Sequence, residues 1–194
     1  MKFLKTNNSM PTTRISSLRQ AVGLGAGLVA LFLGGCATAS NSASMAAPPM
    51  EVANKHAGSV SVNVTGGAET SSMGASKIGN TEFADAISSS ITQSGLFAKL
   101  AATGQADDYH LDVMLVRLDQ PMFGFSMTVT IESNWVLTRV SDKTVVWQKA
   151  VISTYTAKAG DAFAGTTRLR LANEGAARVN IKDALTQIGA LTLH

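Results

Sequence analysis

The sequence contains a single cysteine, Cys36, among its 194 residues. If Cys36 is modified, no thiol remains for a disulfide, a metal thiolate or a cysteine nucleophile. Histidine is nearly as scarce, and only His110 lies within a segment of regular pattern. No acidic residue precedes Cys36. These scarcities exclude a disulfide scaffold, so the stability of the domain has to come from a packed core.

The segment before Cys36 has the layout of a secretory signal. Its first 19 residues carry four basic side chains, and an uncharged apolar run from Ala21 to Leu33 ends in small residues. That run is shorter than the roughly 20 apolar residues that a membrane-spanning helix needs. A plain cleaved signal with an incidental cysteine remains the alternative.

The tetrapeptide Leu33-Gly34-Gly35-Cys36 resembles the lipobox of bacterial lipoprotein signals. The resemblance implies cleavage between Gly35 and Cys36, followed by S-diacylglycerol and N-acyl (palmitate-type) modification of Cys36. Ala37 stands where lipoproteins retained at the inner membrane commonly have aspartate. The resemblance therefore implies a lipid anchor in the outer membrane of a double-membraned bacterium, facing the periplasm. The start of translation, Met1 or Met10, stays open.

Processing would remove the basic excess of the chain. Four of the sixteen Lys and Arg residues precede Cys36, which leaves twelve against thirteen Asp and Glu. A basic patch for nucleic acid is therefore not expected. The expected partners are the membrane, through the lipid anchor, and an envelope protein; no cofactor is expected.

The composition divides the chain into three parts. Residues 1–35 form the predicted signal peptide. Residues 36–58, rich in Ala, Ser and Asn and containing Pro48-Pro49, are predicted to be the acylated cysteine and a flexible tether. Residues 59–194 are long enough for one domain.

Periodicity predicts the order β-α-β-β-β-α in this domain. The expected fold is α+β, with a three- to four-stranded, mostly antiparallel sheet and two helices on one face. The predicted elements are a strand at Val60–Val64, a helix capped by Asn80 or Thr81 and stopped by Gly95, a strand from Tyr109, a strand from Phe123 to Leu137, a strand from Val145 to Tyr155, and a helix from Thr166 or Thr167 towards Gly189. In the last helix the predicted inward residues are Leu169, Ala172, Ala176, Val179, Leu185 and Ile188.

This element order, together with the lipobox, resembles small periplasm-facing lipoproteins of envelope assembly and the auxiliary lipoproteins of ABC-type lipid transport. The resemblance covers about residues 58 to 190, and it maps no contact residue onto this chain. It implies binding of partner proteins or lipid.

Four groups of residues could carry chemistry, each with a plainer structural explanation. His110 and Asp112, with Glu132 on a neighbouring strand, could hold a metal, although a polar pair on the wet face of a sheet explains them more simply. No motif supplies a nucleophilic serine, so no catalytic residue and no metal site are expected. The amides of residues 81–83, which follow the loop Gly66–Gly79, could bind an anion. A lipid phosphate could bind to the basic side chains of the last helix, which share that helix with Glu174: Arg168, Arg170, Arg178 and Lys182. A lipid groove could be lined by the apolar stripe Phe123, Phe125, Met127 and Val129.

The leading hypothesis is a non-catalytic lipoprotein that acts as an adaptor or accessory in envelope biogenesis or transport. The alternative is a carrier that holds a lipid or glycolipid between the sheet and the helices.

Overall fold

The computed structural model describes residues 38–70, 75–102 and 105–193. Within these ranges the chain forms three helices and five strands. In chain order they are α1 (Ser42–Met45), β1 (His56–Thr65), α2 (Asn80–Ser94), β2 (Phe97–Leu100), β3 (Tyr109–Asp119), β4 (Met127–Arg139), β5 (Thr144–Ala157) and α3 (Gly165–Ile188). None of the helices in these ranges is both long enough and apolar enough to cross a bilayer.

The five strands form one mixed sheet in the order β2-β1-β3-β4-β5. β1 pairs in parallel with both β2 and β3, whereas β3, β4 and β5 pair antiparallel. The predicted single-sheet α+β fold is confirmed, but the prediction of three to four mostly antiparallel strands is wrong. Parallel neighbours need a crossover connection, which α2 supplies between β1 and β2. The sequence did not predict β2, because four residues directly after a helix are too few to show alternation.

The core lies between the sheet and the helices. α2 packs against β1 and β2, α3 packs against β4 and β5, and the two helices touch each other, so they cover the same face. Trp135 in β4 is fully buried and meets the ring of Phe83 from α2 edge-on, with the ring centroids 6.4 Å apart. The predicted alternation of β4 is confirmed from Met127 to Leu137.

The long strand begins later than predicted. Phe123 and Phe125 belong to the loop before β4 and are almost fully exposed, whereas Met127 and Val129 are buried. Pro121 and Gly124, whose φ is 154°, interrupt the strand geometry that the alternation of side chains indicated. The predicted stripe therefore splits into two buried residues and two exposed ones.

α2 ends as predicted and begins differently. Gly95 adopts the left-handed conformation with φ of 60°, and its N–H donates to the carbonyl of Thr92 at 3.2 Å. The predicted cap at Asn80 or Thr81 is wrong, because the N-cap residue is Gly79. Asn80 Oδ1 instead accepts a hydrogen bond from Gly67 N at 2.7 Å. Asn80 therefore holds the end of β1 against the start of α2.

α3 carries polar residues on its buried side. Asn180 is fully buried; its Oδ1 accepts from Ser133 Oγ at 2.7 Å and Trp135 Nε1 at 3.2 Å, and its Nδ2 donates to Val151 O at 3.0 Å. These bonds join α3 to β4 and β5. They also explain why the apolar stripe of this helix looked blurred, since amide side chains share its inner face with alanine and leucine. Of the predicted inward residues all but Val179 are buried.

Residues 40–58 differ from the predicted flexible tether. Met45 in α1 and Ala47 after it are buried to 0 and 1% exposure, and Ala47 N donates to Ser90 Oγ of α2 at 2.9 Å. His56, assigned to the tether by the sequence, begins β1, is buried and donates through Nε2 to Ile188 O at 3.1 Å. The packed domain thus begins at about residue 40 rather than 59. Short side chains such as Ala and Ser fit between two helices, which composition alone does not reveal.

Candidate functional site

An open cleft of about 630 Å³ lies at the end of the sheet where β1 and β3 begin. Its walls come from the starts of these two strands, from the turn after β4 and from the C-terminal segment. The lining residues are His56, Ala57, Gly58, Asp107, Asp108, Tyr109, Arg139, Val140, Ser141 and Leu193. The cleft is mixed in character, since two carboxylates and a guanidinium face apolar and aromatic side chains.

Asp108 pins the start of β3 to β1. Its Oδ2 accepts hydrogen bonds from Ser59 N at 2.7 Å and from Ser59 Oγ at 2.8 Å. The backbone bond and then the hydroxyl bond favour the charged form, and together they lower the pKa of the Asp108 carboxyl from its ordinary value. This exposed carboxylate gives the cleft a negative charge at neutral pH.

Arg139 supplies the positive charge of the cleft. Its Nη1 lies 3.3 Å from Asp142 Oδ2 in the turn, whereas its Nε is buried and donates to no atom of the described residues. A buried N–H without a partner is costly, but this atom has almost no accessible surface, so only the accessible part of the guanidinium can meet a group in the cleft. The partly exposed guanidinium and the two carboxylates suit a polar partner better than an apolar ligand.

His110 sits in a chain of polar contacts on the open face of the sheet. Its Nδ1 lies 2.6 Å from Ser61 Oγ and its Nε2 lies 3.3 Å from Asp112 Oδ1. Ser61 also donates to Asp107. The expected proximity of Glu132 is wrong, because the register pairs His110 with Thr138 of β4, six residues further along that strand. Within the described residues no group of three His, Cys, Asp or Glu stands close enough to hold a metal.

The contacts of Ser61 run against those of a nucleophile. Its hydroxyl donates to Asp107, so the Nδ1–H of His110 has to donate to Ser61 Oγ. A nucleophilic serine requires the opposite arrangement, in which histidine takes the serine proton. Ser61 is also buried in the middle of the sheet. The polar chain therefore fits a structural link between β1 and β3. No sequence motif indicated a role for Ser61.

The N-terminus of α2 is poorly suited to an anion. The side chain of Glu82 lies in the first turn, and a Cβ added to Gly79 would meet the carboxylates of Glu82 and Glu69. One of the amides proposed for anion binding, Phe83 N, donates to Gly79 O at 3.1 Å. Two carboxylates at this end already complement the helix dipole and would repel a phosphate.

The basic residues of α3 act mostly within the domain. Arg178 Nε donates to Ser44 O of α1 at 3.0 Å, and Arg170 Nη1 donates to Glu174 Oε1 at 2.8 Å. Glu174, nearly fully buried, accepts Asn41 N at 3.0 Å. Much of this basic helix face is therefore the surface on which the N-terminal segment packs. Of its four basic residues only Lys182 is exposed, and the other three are half-buried.

The predicted lipidation site, Cys36, and the predicted cleavage site at Gly35 lie outside the described residues. The comparisons with known proteins support the fold. No family model and no curated protein sequence matches the chain.

Two solved structures share the fold at low sequence identity. A DUF330-family protein from Xanthomonas campestris is 16% identical, covers 78% of this chain and 94% of its own, and has a TM-score of 0.60. A hypothetical protein from Chlamydia trachomatis is 10% identical, covers 70% and 100%, and has a TM-score of 0.50. A minor lipoprotein from Acinetobacter baumannii is less similar: it is 11% identical, covers 68% of this chain and 90% of its own, and has a TM-score of 0.46.

Proposed function

We propose that this chain is an outer-membrane lipoprotein, held at the periplasmic face through an acylated Cys36, and that it acts as a non-catalytic adaptor in envelope biogenesis or transport. The observation that carries the proposal is the motif Leu33–Cys36 at the end of a signal-like segment. One acyl chain binds a bilayer only marginally, whereas two or three make the attachment stable.

The packing of the N-terminal segment supports a domain that stays close to its anchor. Ser40, four residues after Cys36, is buried against the domain. Four residues span at most about 14 Å. The anchored domain would therefore lie on the membrane surface and would not reach across the periplasm on a long tether.

The cleft supports an adaptor role. It lies at the end of the sheet where β1 and β3 begin. Ser40 lies at the opposite end, because it is hydrogen-bonded to Lys77, whose neighbour Ser76 is bonded to Gln120 just after β3. Arg139 and Asp108 offer a partner one positive and one negative charge. A cleft on the side away from the anchor is accessible to a second envelope protein.

The packed interior gives less support to the carrier alternative. Trp135, Phe83 and Leu185 are fully buried between the sheet and the helices, which is where a lipid would have to lie. A carrier would need to open that interface. Native mass spectrometry of the protein purified from cells tests this directly, since a carrier would retain a bound lipid in addition to its covalent anchor.

Site-specific photo-crosslinking tests the adaptor proposal in intact cells. A photoreactive amino acid replaces Val140 in the cleft or, as a control, Gln148 on the exposed face of β5. We expect one discrete envelope protein to be linked from position 140 and not from 148. The same adduct should weaken in an Arg139→Ala background and in a Cys36→Ser background. Adducts of equal intensity from both positions, or none, would contradict the proposal.

A further inference from the structure

Two neighbouring loops present large apolar side chains to solvent. Met122, Phe123 and Phe125 in the β3–β4 loop are 95, 86 and 87% exposed, and Phe163 in the β5–α3 loop is fully exposed. Single exposed apolar residues are ordinary on protein surfaces, but four of this size on adjacent loops mark a contact surface. We call these four side chains the apolar tip.

Arg168 of α3 holds the two loops together. Its Nη1 donates to the carbonyls of Ala162 at 2.7 Å and Phe163 at 2.8 Å, and its Nη2 donates to Gly124 O at 3.4 Å. The guanidinium thus satisfies backbone carbonyls that would otherwise lose their water partners in an apolar medium. Backbone groups satisfied in this way can enter the edge of a bilayer at lower cost.

The N-terminal segment approaches the same end of the domain. Ser40 N donates to Lys77 O at 3.4 Å, and Gln120 Nε2 donates to Ser76 O at 2.7 Å. Ser40 and Gln120 are therefore bonded to one dipeptide. Gln120 immediately precedes the β3–β4 loop, so the chain that leads back to Cys36 enters beside the base of the apolar tip.

The segment from Cys36 to Ser40 and the segment from Gln120 to Phe123 are of similar length. Ser40 is four positions after Cys36 and Phe123 is three positions after Gln120, which gives maximum spans of about 14 and about 11 Å. An acyl chain on Cys36 and the ring of Phe123 can therefore reach the same plane without any change in the fold.

We propose that the apolar tip inserts into the interfacial region of the periplasm-facing leaflet, in the same bilayer that holds the Cys36 anchor. The occupant is lipid, because covalent anchoring keeps this end of the domain at high effective concentration beside the membrane. Residues 120–126 contain no charged side chain, which lowers the penalty for insertion of the β3–β4 loop, whereas Lys158 and Asp161 of the β5–α3 loop would stay at the level of the headgroups. Apolar side chains at this depth are typical of interfacial membrane contacts. The inference rests on the proposed lipid anchor, and it adds a second, non-covalent contact that fixes the orientation of the domain.

Tryptophan fluorescence of the lipidated full chain tests the proposal. The variants are Phe123→Trp and Phe125→Trp at the tip, with Ile152→Trp as a matched control, since Ile152 is an exposed apolar residue in the middle of β5. Each protein is reconstituted into phosphatidylethanolamine–phosphatidylglycerol vesicles with plain or brominated acyl chains. The wild-type signal is subtracted, and thermal denaturation confirms that each variant folds.

We expect the emission of both tip variants to shift to the blue on vesicles and to lose intensity with brominated lipid, while the control does neither. Vesicle flotation separates failure of this inference from failure of the anchor. Protein that floats but shows no quenching at either tip position overturns the inference and leaves the anchor standing. Protein that does not float overturns the anchor. A blue shift that appears without vesicles and grows with protein concentration would assign the tip to a second copy of the chain and overturn the lipid assignment.

Discussion

Gly175 in α3 gives a prediction in which two known effects oppose each other. A Cβ added at this position would overlap Cδ1 and Cγ of the Tyr155 ring in β5 and lie 2.6 Å from its Cε1. Cγ is bonded directly to the Tyr155 Cβ, so rotation of the ring about its own axis does not relieve the overlap. Either Tyr155 has to change its χ1 rotamer or α3 has to move away from the sheet.

The balance can be worked out for Gly175→Ala. Alanine in a helix interior is about 1 kcal/mol more favourable than glycine. Overpacking a well-filled interface costs typically about 1–3 kcal/mol, and overlap with an atom near the backbone belongs near the upper end. We therefore expect the substitution to lower the free energy of unfolding by about 1–2 kcal/mol. Urea denaturation followed by tryptophan fluorescence measures this change.

The control is the same substitution in a Tyr155→Ala background. With the ring removed, only the helix-propensity gain remains, so Gly175→Ala should now stabilise the domain by about 1 kcal/mol. This change of sign is the signature of the overlap. If Gly175→Ala stabilises the protein that retains Tyr155, or has the same effect in both backgrounds, the close packing of α3 on β5 is refuted.

Three further substitutions test separate parts of the structure. Asn180→Ala should lower the free energy of unfolding by about 2–3 kcal/mol, because it leaves buried donors and acceptors unpaired; a change below about 0.5 kcal/mol in urea denaturation would contradict the network. Asp108→Asn should destabilise the domain at neutral pH by a difference that disappears on acidification. A lowered folded-state pKa contributes stability that is fully present above the unfolded value of about 4 and is lost as the pH falls through the folded value. Parallel denaturation series measure the difference in free energy of unfolding between the wild type and this variant. A difference that does not vary with pH would exclude the charged contact with Ser59. Arg178→Gln should speed hydrogen exchange in residues 44–47 while leaving the unfolding midpoint almost unchanged, since it removes the contact with Ser44 O; unchanged exchange there would show that Arg178 does not hold α1.

The parts of the fold that alternation and helix signals determine were predictable. Tyr109, Leu111 and Val113 alternate at the start of β3, and β4 alternates from Met127 to Leu137. Gly95 stops α2 because it can adopt a positive φ without strain. These features depend on residues that are near neighbours in the chain.

The features that were missed depend on distant contacts. Nothing local distinguishes the Ala- and Ser-rich residues 40–47 from a disordered linker. They are ordered by α2 and α3, through Ser90, Glu174 and Arg178. β2 forms only because the sheet edge of β1 is available to pair with it in parallel.

The candidate sites show the same limit. His110 and Asp112 are neighbours as predicted, since they lie two residues apart on one strand. The position of Glu132 depends on the register between β3 and β4, which places it six residues from the partner of His110 and which no local pattern reveals. Alternation predicts a strand that includes Phe123 and Phe125, but the backbone at Pro121 and Gly124 departs from strand geometry. Both rings therefore lie exposed in the loop before β4.

The measurement that tests the central claim most directly is the intact mass of the full chain after expression in a double-membraned bacterium. The account predicts a polypeptide that begins at Cys36 and carries a diacylglyceryl group on sulfur and an acyl group on the new N-terminus, with no such species from a Cys36→Ser variant. A membrane-extracted protein that begins elsewhere, or that carries an unmodified Cys36, would contradict it.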